Sequence, residues 1–80
     1  MDKQSVFNIV KKNILEILPD LEGATIEIHM QLKDLGANSI DRVDIVTMSM
    51  EDLDVHISAM ELRKISNIEG LVDLLVEKAG

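Results

Sequence analysis

The sequence predicts an all-α domain, a four-helix bundle with a long first loop and a short third helix. Three observations carry that reading. Both ends of the chain place apolar residues at helical spacing, a central stretch runs without Gly or Pro, and a single segment alternates with the period of a strand. At 80 residues the chain reads as one domain, 1–80, and a core of that size buries about 60 to 65 % of the surface the unfolded chain exposes. There is no Cys, so neither a disulfide nor a thiolate zinc site can staple the fold. The 46 % of residues that are hydrophobic must supply the core.

The first helix is expected over 3–18. Val6, Val10, Ile14 and Ile17 form one stripe, widened by Phe7, Ile9, Leu15 and Leu18, while Lys11, Lys12, Asn13 and Glu16 form the wet face. Pro19 ends it by removing an amide donor and biasing Leu18 away from helical geometry. Residues 25–32 (TIEIHMQL) alternate strictly, yet no second alternating run offers a partner, and a lone strand leaves its ladder groups unpaired. Residues 19–38 are therefore expected to be an ordered loop without regular structure, pinned to the core by Leu21, Ile26, Ile28, Met30, Leu32 and Leu35. Connections of that length are often functional.

The second helix is expected over 40–53, with Gly36 permitting a turn and either Asn38 or Ser39 capping. At 100° per residue it has two apolar faces. Ile45, Val46 and Leu53, with Ser49, can enter the core. Ile40 and Val43, with Met50 at the margin, lie nearly opposite among Asp44, Thr47 and Glu51, which is the composition of a protein-docking surface. A short helix over 58–64 (Ala59, Met60, Leu62) leads to the last helix, 67–78, with Asn67 as cap and Ile68, Leu71, Val72, Leu75 and Val76 as its stripe.

Net charge is -7, and it is concentrated. Residues 34–62 hold seven acids (Asp34, Asp41, Asp44, Glu51, Asp52, Asp54, Glu61) against the single base Arg42, so six of the seven net charges lie there. A local field of that kind steers a basic partner. The same charge repels phosphate backbones, and one aromatic residue, Phe7, gives no platform for stacking bases. No apolar run approaches the roughly 20 residues that span a bilayer, and no signal peptide opens the chain. The expectation is a cytoplasmic monomer that binds neither nucleic acid nor membrane. It is also too small to build a catalytic cleft, so it is expected to be acted upon by enzymes rather than to be one.

The segment 32–41 (LKDLGANSID) resembles the attachment site of acyl carrier proteins, and the resemblance extends over the order of elements from the apolar first helix to the closing segment RKISNIEGLVD at 63–73. It implies that Ser39 receives a 4'-phosphopantetheine arm from coenzyme A, a role that suits a helix start, where free amides and the positive end of the dipole face an anion. The residues around it, Asn38, Ile40, Asp41, Val43, Asp44, Thr47 and Glu51, would then dock partners. Two departures stand out: Asn38 replaces the usual Asp before the Ser, which removes a charge that a phosphopantetheinyl transferase reads, and Arg42 stands where small or polar residues are common. Residues 36–42 (GANSIDR) also resemble the discrete carriers of polyketide β-branching cassettes, which hold acetyl or malonyl groups. That resemblance implies a thioester carrier serving an acyltransferase, a ketosynthase or a hydroxymethylglutaryl-type synthase with a basic docking patch.

Alternatives are a carrier of fatty acid synthesis, a peptidyl carrier, and a helical interaction module without covalent chemistry. A triad of Ser39, His29 or His56, and Asp34 would lack an oxyanion hole and a cleft. The two His lie 27 positions apart, without the spacing that puts a metal pair on one helix face. A ubiquitin-like carrier ending in Gly80 would need a sheet that the pattern lacks.

Overall fold

Asp2 accepts the Ser5 amide at 2.7 Å and opens α1 (Lys3–Ile17) in the computed structural model, which describes residues 2–80. α2 (Ser39–Leu53), α3 (Ala59–Arg63) and α4 (Ile68–Ala79) follow, and no strand occurs among the described residues. Each start is capped by a residue whose side-chain oxygen takes an otherwise orphan amide: Asn38 from Asp41, Ser58 from Glu61, Asn67 from Gly70. In α2 and α3 the third helical residue, Asp41 or Glu61, bonds back to the cap's own N–H.

α1 packs against both α2 and α4. Their shared core holds Val6, Val10 and Ile14 of α1, Ile45 of α2, Ile57 of the connection to α3, and Ile68, Leu71, Val72 and Leu75 of α4, all nearly inaccessible. Burying such side chains contributes about 1.5 to 3 kcal/mol each relative to leaving them exposed. α4 approaches the chain closely at Gly70, where a Cβ would stand 3.3 Å from Ile65 Cγ2.

The long first loop is all-helical in its regular parts, with 3-10 turns at Pro19–Leu21 and Leu32–Leu35 that the alternation did not announce. Its alternating stretch is irregular chain laid on the bundle, with a turn at 27–30 closed by the Met30 amide bonding Glu27 O at 3.1 Å, and Ile26, Ile28 and Met30 are half-buried against the core while Thr25, Glu27 and His29 are exposed. A strand partner is unnecessary because α4 supplies the donors: the Ile68 amide bonds Met30 O at 2.9 Å and the Glu69 amide bonds Ile28 O at 2.7 Å. Gly36 ends the second turn at φ 93°, a left-handed conformation that Gly adopts without steric cost.

Two placements differ from the periodic reading. Asn13, expected on the wet face of α1, is 1 % exposed. Its amide donates to Ser49 Oγ at 3.0 Å and to Asp52 Oδ2 at 3.1 Å, and Ser49 Oγ donates in turn to Ile45 O at 2.8 Å. α1 and α2 are thus joined by a polar contact inside their interface, which explains why a polar residue turns inward. Met50 is not at the margin of an exposed face but half-buried against the core, and its sulfur accepts the Ile57 amide at 3.2 Å.

Candidate functional site

Asn38, not Ser39, is the cap of α2: Asn38 Oδ1 accepts the Asp41 amide at 2.8 Å, and Asp41 Oδ2 accepts the Asn38 amide at 3.2 Å. Ser39 becomes the first helical residue, exposed, with its hydroxyl free of any capping duty. The amides of Ser39 and Ile40 have no hydrogen-bond partner among the described residues. At α4 the corresponding pair is consumed by the loop carbonyls, so the two helix starts differ in what they can offer an anion. Arg42 reaches back one turn, and its Nη2 donates to Ser39 Oγ at 3.2 Å.

An open groove of about 590 Å³ begins at Ser39 and Arg42 and runs between α2 and the 62–71 segment, with Val46, Met50, Leu62 and Leu71 among its apolar walls. On the outer face of α2, Ile40 is 72 % and Val43 62 % exposed, and Asp44, Thr47 and Glu51 lie exposed on the same face. Met60 of α3, 70 % exposed, adds an apolar residue that periodicity did not single out as a contact.

Six of the seven central acids separate into two groups, and the seventh, Asp54, closes α2. Asp34 and Asp41 bond backbone amides at the turn and helix starts. Asp52 pairs with Lys12 at 3.2 Å and Glu61 with Lys78 at 2.9 Å. Asn13 first, then Lys12, hold the Asp52 carboxyl below its usual range, and Lys78 first, then the Ser58 amide, do the same for Glu61. Asp44 and Glu51, by contrast, make no ion pair among the described residues. Those two carboxylates stand beside Ile40 and Val43 on the exposed face of α2. Asn38 and Asp41, though adjacent, are occupied with holding the helix start.

A family model described as a phosphopantetheine attachment site matches residues 10–75. The polyketide biosynthesis acyl-carrier-protein AcpK of Bacillus subtilis is 45 % identical over 98 % of this chain and 95 % of its own. This chain belongs to the acyl carrier protein family. An acyl carrier protein of Thermotoga maritima is 32 % identical over 98 % of this chain and 96 % of its own. Among solved structures, a chain in the crystal structure of the curacin biosynthetic pathway HMG synthase in complex with acetyl donor-ACP is 42 % identical, with a TM-score of 0.90 over 98 % of this chain and all of that one. As an acyl carrier, the protein takes 4'-phosphopantetheine as its prosthetic group, and the start of α2 fits a phosphodiester. It presents an exposed hydroxyl, two unclaimed amides and a guanidinium in one turn, at the mouth of a groove. Among the described residues, no helix is long and apolar enough to cross a membrane.

Proposed function

We propose that Ser39 is the attachment point and that the chain is a cytoplasmic, monomeric carrier domain, 1–80, donating acetyl or malonyl groups to a hydroxymethylglutaryl-type synthase in polyketide β-branching. The observation that carries the site is the hydroxyl of Ser39, left free at the first position of α2 by the Asn38 cap. Likeness over nearly the full chain to the acetyl donor-ACP and to AcpK supports the pathway.

When bound, 4'-phosphopantetheine supplies a terminal thiol that holds an acyl group as an activated thioester. The chain's own residues do the rest without catalysing any step. Asn38 and Asp41 fix the helix start, and the Ser39 and Ile40 amides and Arg42 surround the esterified oxygen. Asp44 and Glu51 draw in a basic partner, whether phosphopantetheinyl transferase, acyltransferase, ketosynthase or synthase, and Ile40 and Val43 hold it. Tethering raises the effective concentration of the acyl group at each partner's active site.

The test is transfer. Holo-protein charged separately with acetyl, malonyl and long-chain acyl groups is mixed with a synthase of this type, and the mass of both proteins is followed. Acetyl should leave the carrier and appear on the synthase, while long-chain groups stay behind. Transfer of long-chain groups in preference would assign the protein to fatty acid synthesis instead.

A further inference from the structure

Arg42 is the only base among the residues 34–62, in the company of seven acids. A guanidinium in such surroundings pairs with a carboxylate when one is in reach, since a bidentate fork is among the stronger charge-assisted contacts. Arg42 makes no ion pair among the described residues, and its hydrogen bond goes to the neutral Ser39 hydroxyl, at 3.2 Å. The same side chain also lines the groove that starts at Ser39.

We infer that Arg42 is a clamp for the phosphodiester of the prosthetic arm, holding the first segment of the arm against the start of α2 at the mouth of the groove. This rests on Ser39 being the attachment point. Esterification adds a negative charge in the most acidic part of the chain, next to Asp41 of the same helical turn. The Ser39 and Ile40 amides favour that charge, but they are dipoles. Arg42 contributes the one full positive charge already positioned on the esterified oxygen. Its planar fork matches two phosphate oxygens, which an ammonium cannot do. With its root held, the arm swings from a fixed point, and the acidic face of Asp44 and Glu51 stays intact for docking because Arg42 is spent on the phosphate rather than on those carboxylates.

Lys33 supplies a matched control. It lines the same groove and carries the same charge, yet makes no hydrogen bond to Ser39. The experiment uses mass-verified holo-protein and follows phosphorus relaxation by 31P NMR and the Arg42 Nε–Hε signal by 15N NMR. In the wild type the phosphorus should relax with the folded domain, and the guanidinium signal should shift and become ordered between apo and holo forms. Arg42→Gln should release the phosphorus to the narrow line of a mobile tether, Arg42→Lys should fall between, and Lys33→Gln should match wild type. Equal phosphorus relaxation in wild type and Arg42→Gln would overturn the clamp. So would an Arg42 signal identical in apo and holo wild type, a comparison that needs no variant. A wild-type chain that gains no arm would overturn the attachment point as well, and the mass alone separates that result from the other two.

Discussion

Replacing Asn13 with Ala should destabilise the bundle more than any substitution on the hydrated side of α1. The side chain is 1 % exposed and bonds both Ser49 and Asp52. Losing the buried bond to Ser49 costs about 1 kcal/mol. Truncation leaves a hole of about 30 Å³, worth roughly 0.7 kcal/mol at about 24 cal/mol per Å³. The part-buried contact with Asp52 adds to these, so the total is about 2 kcal/mol or slightly more. For a domain of this size that lowers Tm by roughly 8 to 16 °C, with the urea midpoint moving and the m-value unchanged. Two further readouts distinguish the bond from mere packing. The Asp52 carboxyl should titrate closer to its ordinary value, since Asn13 is the largest cause of its lowered pKa. The pair Asn13→Leu with Ser49→Ala should recover part of the loss, because removing both partners leaves no orphan group. A loss below about 0.5 kcal/mol together with an unmoved Asp52 titration would refute the argument, since that is the scatter of ordinary surface substitutions.

Other expectations follow from the same contacts. Asp54 closes α2 in the left-handed region at φ 53°, so Asp54→Gly should raise stability by about 0.5 to 1 kcal/mol by urea titration; a loss would mean that its side chain matters more than its backbone. Asp52 and Glu61 are both held below their ordinary pKa, so each stabilises the fold above its unfolded value and loses that contribution as pH falls through the lowered folded value. Urea midpoints taken from pH 7 down to pH 2.5 should therefore fall less steeply on the acid side in Asp52→Asn and Glu61→Gln, and parallel curves would contradict the pairing. In stopped-flow binding to the transferase, charge reversal at Asp44 or Glu51 should slow association and flatten its salt dependence. Ile40→Ala, Val43→Ala and Met60→Ala should instead shorten the lifetime of the complex. Reversal at Glu16 should do neither, and equal effects at Glu16, Asp44 and Glu51 would mean that net charge rather than this face attracts the partner.

Elements built on apolar stripes were legible in the sequence. Val6, Val10 and Ile14 and the Ile68–Leu75 stripe define α1 and α4 because burying apolar surface is what orients a helix, and the period of that burial is written in residue types. What periodicity could not show were contacts made by polar atoms. Asn13 looks hydrated until Ser49 on α2 is known to face it, and an interhelical hydrogen bond has no period. The alternation in 25–32 was real but ambiguous: a turning loop pressed on a helix bundle and a strand in a sheet can both bury every second side chain, and the turn bond from the Met30 amide to Glu27 O, with the α4 amides bonded to Ile28 and Met30, decides between them. At the site, the motif singled out Ser39, but it left the cap open between Asn38 and Ser39. The choice matters, because a hydroxyl engaged in capping is not free for esterification. The use of Asp52 and Glu61 in pairs with Lys12 and Lys78 belongs to tertiary structure, so the charge block overstated how many acids are left without a partner inside the fold.

The account stands or falls on Ser39. Apo-protein incubated with coenzyme A, magnesium and a broad-specificity phosphopantetheinyl transferase should gain the mass of one phosphopantetheinyl group, and fragmentation should place it on Ser39. Ser39→Ala should keep its helical circular dichroism, since Asn38 rather than Ser39 caps α2, and should gain nothing. A wild-type chain left unmodified by several transferases, or a Ser39→Ala chain that still takes the arm, would contradict it.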